Sequence, residues 1–214
     1  MGRKEQKKAQ ENQMEQERAE KPAVIYIVRH GQTEKNKANV LQGRSDVSLN
    51  DAGRRQAEEV RERLAAKGVH FDVVYTSPLI RAVETARIIA GDTKQVTDER
   101  LIEMDYGPYE GMDLNHPAPE VMRFFRDFTN TPAPEGMEPL AEVVSRLGDF
   151  LEDISKEAAG KTILVSTHAI AMKGALEYLT PESKGSYWST YIENCAVYTS
   201  QMNGNGELSI PEKW

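Results

Sequence analysis

Cationic and imidazole side chains follow three apolar segments of this chain, at the point where each segment ends. Residues 23–28 are followed by Arg29-His30-Gly31, and residues 72–76 by Ser77-Pro78-Leu79-Ile80-Arg81. Residues 162–167 are followed by His168. Two arginines and two histidines that met at one place would form a cradle for a dianion such as a phosphate group. A histidine there could also act as a nucleophile, because neighbouring positive charge disfavours protonation of its imidazole.

The three apolar segments are expected to be strands of one sheet, which would bring these side chains together. Ligands of open α/β sheets bind outside the carboxyl ends of the strands. Between and after the strands, the sequence predicts helices at 50–66, from Ser77-Pro78 onward, at 121–128, at 140–154 and at 169–179, and a closing hairpin at 194–200 and 207–210. This alternation predicts an α/β fold, a three-layer α/β/α sandwich on a mostly parallel sheet.

Each of these side chains also has a plain structural interpretation. Arg81 could form a surface ion pair with Glu84, three residues further along the same predicted helix. His168 could be a buried structural histidine, and an Arg-His-Gly tripeptide occurs often by chance. A functional site is favoured because all three segments are expected to end at the same edge of one sheet.

A phosphate ester also needs a proton donor for its leaving group, and the irregular segment 100–118 offers candidates. Glu103 and Asp105 are the first of them. A carboxyl beside a bound phosphate is expected to hold a proton because of the like charge, which would let it act as a general acid. Three nearby carboxylates compete for this role, and a solvated loop would carry them in any case: Glu99, Glu110 and Asp113.

Composition narrows the range of partners and cofactors. The 214 residues carry a formal charge of −7, which argues against a nucleic-acid partner and against an anionic membrane surface. The single cysteine, Cys195, excludes an internal disulfide, and the four histidines lack the spacing of metal ligands. We therefore expect no metal and no other cofactor. No apolar run reaches the length of a membrane span and no signal peptide opens the chain, so a soluble, cytoplasmic protein is expected.

The amino terminus differs from the rest of the chain. Residues 1–22 are rich in Lys, Gln, Glu and Ala and offer almost nothing to bury, so we expect a polar tail that is disordered or a frayed helix. No heptad supports a coiled-coil arm there. The folded domain is expected to comprise residues 23–214.

Taken in order, these motifs resemble one known family. They are Arg29-His30-Gly31-Gln32-Thr33-Glu34-x-Asn36, Gln42-Gly43, Ser77-Pro78-Leu79-x-Arg81-Ala82-x-Glu84-Thr85-Ala86, Glu103-x-x-x-Gly107-x-x-Glu110-Gly111, and His168. Their order and spacing closely resemble the histidine phosphatase superfamily, the phosphoglycerate mutase-like proteins, from residue 23 to about residue 200. The resemblance implies the phosphoglycerate mutase-like version of the fold predicted above.

The resemblance also implies a role for individual residues. His30 is similar to the phosphorylated nucleophile, Arg29, Arg81 and His168 to the phosphate clamp, and Glu103 to the proton donor. Together with residues expected to border the site, the candidates for substrate binding are Gly31, Thr33, Asn36, Gln42, Gly43, Tyr106 and Ala169. The implied mechanism is metal-independent and has two steps, with a phosphohistidine between them.

Two departures favour a phosphatase over a mutase. Glycolytic mutases of this family resemble one another in a lysine after the Glu-x-x-Tyr-Gly stretch and in an Arg-Arg pair before a Thr-Pro-x-Pro segment. This chain has Gly111-Met112-Asp113-Leu114 and Arg126-Asp127 instead. An aspartate facing a second acidic group of the substrate would repel it.

We therefore expect a metal-independent phosphomonoesterase that acts on a small phosphorylated metabolite. The alternative is mutase-type phosphoryl transfer, and a third possibility is a protein that binds phosphorylated ligands without turnover. The sequence leaves the substrate, the pathway and the oligomeric state open.

Overall fold

A mixed sheet runs through the centre of the protein in the computed structural model, which describes residues 22–203 and 207–214. Its strands are β1 (Ala23–Arg29), β2 (Val73–Thr76), β3 (Gln95–Thr97), β4 (Thr162–Thr167), β5 (Val197–Met202) and β6 (Glu212–Lys213), in the spatial order β3-β2-β4-β1-β5-β6. The first four strands pair in parallel. β5 runs antiparallel to β1, and β6 runs antiparallel to β5. Residues 1–21 of the expected polar tail lie outside the described residues.

Helices cover both faces of this sheet. Those in the described part of the chain are α1 (Glu34–Lys37), α2 (Asp51–Ala66), α3 (Ile80–Ala90), α4 (Pro119–Arg126), α5 (Leu140–Ser155) and α6 (Ala169–Leu179). Short 3-10 helices lie at Glu99–Leu101, Gly107–Tyr109, Pro181–Ser183 and Ser186–Ser189.

The alternation of side chains along β1 explains the three layers. Successive residues of a strand point to opposite faces of the sheet. Ile25 and Ile27 belong to the core that α5 and α6 cover, whereas Tyr26 and Val28 belong to the core that α2 and α3 cover. The predicted α/β/α sandwich on a mostly parallel sheet is confirmed.

Some boundaries differ from the sequence prediction. The predicted helix after β2 begins at Ile80 with Leu79 as its N-cap, so Ser77 does not cap it. The Ser77 hydroxyl accepts from the backbone N–H of Leu79 at 3.3 Å and contacts a buried histidine ring, as described below. The short helix ends at Arg126, which leaves Phe128 beyond it. The prediction missed the three-residue strand β3.

The closing hairpin is longer than predicted. The strand β6, at Glu212–Lys213, pairs with β5 beyond the predicted segment 207–210, whose Ser209 N–H donates to the Gln201 carbonyl oxygen at 2.7 Å. Within that segment, Leu208 forms an isolated bridge with Met202.

Candidate active site

Two histidines meet at the carboxyl edge of the central strands. Arg29 and Thr167 are partners in the parallel register of β1 and β4, so His30 and His168 follow at the same level of the sheet. The backbone N–H of His30 donates to Thr167 at 2.9 Å. The two imidazole centroids lie 5.1 Å apart at 61°, and both side chains are buried. The predicted convergence of the strand ends therefore occurs.

One ring nitrogen of His30 makes no hydrogen bond with any residue that the structure describes. Its Nδ1 lies 2.7 Å from the carbonyl oxygen of Gly31, which can only accept, so Nδ1 carries the proton and Nε2 keeps its lone pair. Burial first, and then the charges of Arg29 and Arg81, hold the pKa of His30 well below its usual 6.5. The ring is thus neutral near pH 7 and fit for nucleophilic attack through Nε2.

His168 has the opposite arrangement, with a partner on each nitrogen. Its Nδ1 accepts from Arg81 Nε at 3.1 Å, and its Nε2 donates to Ser77 Oγ at 2.8 Å. Burial first, and then Arg81 and His30, lower the pKa of His168 well below 6.5. His168 is therefore a neutral ring held in place by Arg81 and Ser77.

Arg81 is fully buried and does not pair with Glu84. Besides His168, its guanidinium donates to the carbonyl oxygens of Gly43 at 2.6 Å and Ser45 at 2.7 Å. Burial lowers its pKa to about 10. Glu84 instead accepts from the backbone N–H of Leu49 at 2.8 Å. Arg81 thus reaches the site from behind His168 and ties it to the loop at 43–45.

Glu110 holds the same loop from the other side. Its carboxylate accepts from the backbone N–H of Gly43 at 2.9 Å and from Ser45 Oγ at 2.5 Å, and Lys35 Nζ lies 3.8 Å away. The sequence had offered Glu110 as a competing acid. Its contacts instead make it a positioning residue for the loop that follows Gln42.

Glu103 is the carboxylate that faces His30 across a cavity. Its side chain is 3% exposed and accepts from the backbone N–H groups of Met104 at 2.9 Å, Ala171 at 3.0 Å and Ile170 at 3.2 Å. The last two donors belong to the first turn of α6, so the helix fixes the carboxylate. Asp105 accepts from Gly107 N–H at 2.8 Å and does not line the cavity.

The cavity in front of His30 measures about 280 Å³, and its lining residues divide by type into a polar half and an apolar half. One half consists of polar and charged side chains: Arg29, His30, Asn36, Gln42, Glu103 and Tyr106. The other half is apolar: Val40, Leu41, Leu114, Phe125, Phe128, Ala169 and Ile170.

Arg29 brings an unused donor to the polar half. Its Nη1 donates to the carbonyl oxygen of Ile192, whereas its Nε is buried and makes no hydrogen bond with any residue that the structure describes. Burial also lowers the pKa of this guanidinium. A buried donor without a partner is costly, so Arg29 Nε–H is suited to donate to a ligand oxygen.

Five predicted site residues are not among those that line this cavity. Besides Arg81 and His168, they are Gly31, Thr33 and Gly43. A Cβ on Gly31 would lie 2.4 Å from the carbonyl oxygen of Gly53, so this glycine allows α2 to approach β1. Thr33 caps α1. When the Gln42 amide is oriented so that both of its ends have partners, its nitrogen donates to Thr33 at 2.6 Å and its oxygen accepts from Arg81 at 2.9 Å.

The aspartate expected to face a second acidic group lies elsewhere. Asp127 is exposed and accepts from Asn130 at 3.0–3.1 Å, outside the cavity lining. The prediction for Asp127 was therefore wrong, because α4 ends at Arg126 and its last turns direct other side chains inward. From this segment Phe125 and Phe128 line the cavity.

The sequence analysis missed Asn194. Its Nδ2 donates to the carbonyl oxygen of His30 at 3.0 Å and to Asn36 Oδ1 at 3.3 Å. The next residue, Cys195, donates its backbone N–H to the carbonyl oxygen of Arg29 at 3.1 Å. No motif marked Asn194, since its partners lie more than 150 residues away in the chain.

Two features are absent from the part of the chain that the structure describes. Within residues 22–203 and 207–214, no group of three or more His, Cys, Asp or Glu side chains is placed to hold a metal ion. No helix in the same ranges has both the length and the apolar character needed to cross a membrane.

Known proteins of two activities resemble this chain. Residues 25–209 match the histidine phosphatase superfamily (branch 1). Phosphoserine phosphatase 1 of Hydrogenobacter thermophilus is 30% identical over 183 residues, 83% of this chain and 86% of that protein. A 2,3-bisphosphoglycerate-dependent phosphoglycerate mutase of Parvibaculum lavamentivorans is 30% identical over 196 residues, 86% of this chain and 93% of that protein.

A solved structure shows the same fold. A variant of phosphoserine phosphatase from Entamoeba histolytica, in complex with phosphoserine, superposes with a TM-score of 0.75 at 26% identity. The match covers 89% of this chain and 94% of that one.

Proposed function

This chain belongs to the histidine phosphatase superfamily, branch 1, and from that premise we propose that it is a phosphomonoesterase with a phosphohistidine intermediate on His30. The observation that carries the proposal is the state of His30: a buried, neutral ring whose Nδ1–H is held by Gly31 and whose Nε2 is free. A nucleophile of this kind needs no separate base to remove a proton before it attacks.

In the first step, Nε2 of His30 attacks phosphorus as the bond to the ester oxygen breaks. The departing oxygen takes a proton from Glu103, which lines the same cavity. Arg29 donates to a phosphoryl oxygen through its unpaired Nε, which stabilises charge in the transition state.

In the second step, water attacks phosphorus and the bond to Nε2 breaks. Glu103 takes a proton from the water, and phosphate and the neutral His30 ring are released. His168 stays neutral between Arg81 and Ser77, and it holds the Arg81 guanidinium and the His30 ring in their relative positions. Metal independence and the cytoplasmic location remain predictions from the sequence.

The test is release of phosphate from p-nitrophenyl phosphate in the presence of EDTA. We expect turnover by the wild type and a loss of roughly a thousandfold or more in His30→Ala, because the covalent route is removed. His70→Ala is the matched control, since His70 is exposed and outside the cavity. With labelled substrate, a rapid quench is expected to leave phosphate on the wild type and not on His30→Ala.

A mutase remains the second candidate because a relative of that activity is 30% identical. It is checked by incubating the enzyme with 3-phosphoglycerate and 2,3-bisphosphoglycerate and measuring 2-phosphoglycerate against free phosphate. Isomerisation faster than phosphate release would overturn the phosphatase proposal. Phosphate binding without either reaction would indicate a non-catalytic binder.

A further inference from the structure

The charge inside the cavity is confined to the part next to His30. Among the described residues that line the cavity, Arg29 is the one arginine or lysine and Glu103 the one acidic residue, and both belong to the polar half where the phosphate would react. A second acidic group on the substrate would therefore find no cation of its own there. Burying an unpaired carboxylate is costly, so such a substrate would be bound weakly.

Two further cations, besides the Arg81 described above, have partners outside this cavity. Lys173 Nζ donates to the carbonyl oxygen of Trp188 at 2.8 Å and lies 5.2 Å from the Phe128 ring centroid. Arg44 lies 3.5 Å from Asp105 and 3.7 Å from Glu138. Neither of these cations lines the cavity.

The apolar half is a wall of packed rings. The centroids of Phe125 and Phe128 are 5.5 Å apart, Phe125 lies edge-on to Tyr106 at 6.2 Å, and Phe128 lies 6.2 Å from Trp188. Leu114 lines the cavity with them. Rings held by one another in this way offer a preformed apolar surface to the group attached to the phosphate.

We propose that the preferred substrates are phosphate esters of uncharged, largely apolar alcohols, and not phosphorylated acids such as phosphoserine or 3-phosphoglycerate. This inference rests on the proposed function of the same site. The volume of about 280 Å³ limits the alcohol to about one aromatic ring or a short chain beside the phosphate.

The first test compares esters with matched leaving groups. Phosphoserine, 3-phosphoglycerate and 2-phenylethyl phosphate are all esters of primary alcohols, so their intrinsic reactivities are similar. We expect kcat/KM for 2-phenylethyl phosphate to exceed that for the two acids by roughly 100-fold, a factor typical of one unpaired buried charge. Equal or better turnover of either acid would overturn the inference.

Three variants test whether the apolar half of the cavity determines this substrate preference. Phe125→Leu is expected to raise KM for 2-phenylethyl phosphate roughly tenfold and to leave ethyl phosphate nearly unchanged, because the smaller ester does not reach the ring. Phe71→Leu is the matched control, a half-buried phenylalanine on the opposite face of the sheet. Leu114→Lys is expected to improve kcat/KM for 3-phosphoglycerate relative to 2-phenylethyl phosphate. Identical selectivity in all three variants would overturn the inference.

Binding separates this inference from the proposed function. Calorimetry with His30→Ala, which cannot form the covalent intermediate, measures affinity for each ester without turnover. Tighter binding of 2-phenylethyl phosphate than of phosphoserine supports the inference even if the wild type hydrolyses nothing, an outcome that would overturn only the phosphatase proposal. Tighter binding of phosphoserine, or binding of neither ester, would overturn the inference even if the wild type is an active phosphatase.

Discussion

The two central histidines are of one residue type, and their hydrogen-bond partners give them different chemistry. A carbonyl oxygen holds the Nδ1–H of His30 and leaves Nε2 free, whereas an arginine and a serine occupy both nitrogens of His168. For His30 to take the role of His168, a hydrogen-bond donor would have to replace the carbonyl oxygen at Gly31. For His168 to take the role of His30, Arg81 would have to be lost. The nucleophile is therefore specified by what surrounds the ring and not by the ring alone.

The lowered pKa of His30 predicts where activity is lost in acid. Protonation removes the Nε2 lone pair, so kcat/KM falls as the pH drops through the pKa of the folded enzyme, and that pKa lies well below 6.5. We expect kcat/KM for p-nitrophenyl phosphate, corrected for ionisation of the substrate, to stay level from pH 7 to below pH 6. An acidic limb centred near pH 6.5 would show that the ring is not shielded in this way.

At the scale of elements, two glycines let a helix pack against the strand that carries the nucleophile. Gly31 follows β1 and Gly53 lies in the first turn of α2, and a Cβ on either would lie within 2.4 Å of the other segment's backbone. The Gly31 N–H donates to Thr85 Oγ1 of α3 at 3.0 Å. The position of His30 therefore depends on two helices as well as on its strand.

Gly31→Ala is expected to damage both stability and catalysis. The new methyl group would lie 2.4 Å from the Gly53 carbonyl oxygen, so α2 must shift, at a cost of about 1–3 kcal/mol in the free energy of unfolding. The displaced His30 would lower kcat/KM by roughly tenfold or more. Urea unfolding and steady-state kinetics measure the two effects.

The control for this substitution is Gly68→Ala. Its Cβ would meet nothing within 4 Å, but the backbone there has φ +69°, so it costs about 1–2 kcal/mol through conformation alone. We expect Gly68→Ala to retain wild-type kcat/KM. Equal losses of activity in both variants would contradict a specific role for the contact between Gly31 and Gly53.

The helices and strands could be predicted because their sequence patterns are local. Several contacts of the site could not be predicted, because they join residues that are distant in the sequence. Apolar runs located β1 and β4, and the Asn50 cap located α2. The role of Arg81 depends on carbonyl oxygens at Gly43 and Ser45, and that of Asn194 on His30. Backbone acceptors are present at every residue, so no sequence pattern marks the ones that a distant side chain will use.

For the whole molecule, burying two neutral histidines makes stability depend on pH. The pKa values of His30 and His168 lie well below 6.5 in the folded protein, and those of the unfolded chain lie near 6.5. Below pH 6.5 the unfolded chain therefore binds more protons, and the free energy of unfolding falls as the pH falls. The carboxyls with lowered pKa values, such as Asp98 and Asp153, destabilise the fold only at still lower pH.

This dependence is measurable in a single variant. Each proton taken up on unfolding contributes a slope of about 1.4 kcal/mol per pH unit. Between pH 6 and pH 5, we expect His30→Asn to lose stability less steeply than the wild type, by up to about this amount. Urea unfolding in phosphate-free buffer at several pH values gives both slopes. Parallel curves for the two proteins would mean that His30 is not a source of the acid sensitivity.

The pairing of β1 with β4 sets the order in which a working enzyme can appear during synthesis. β1 is among the first described segments to leave the ribosome, but its parallel partner spans residues 162–167 and its antiparallel partner residues 197–202. Parallel pairing over so long a separation forms late, since the loop must close before the contacts form. The nucleophile is thus made early, but its surroundings cannot be completed until β4 and β5 have emerged. A nascent or truncated chain that ends before β4 carries His30 without the neighbours that make it reactive.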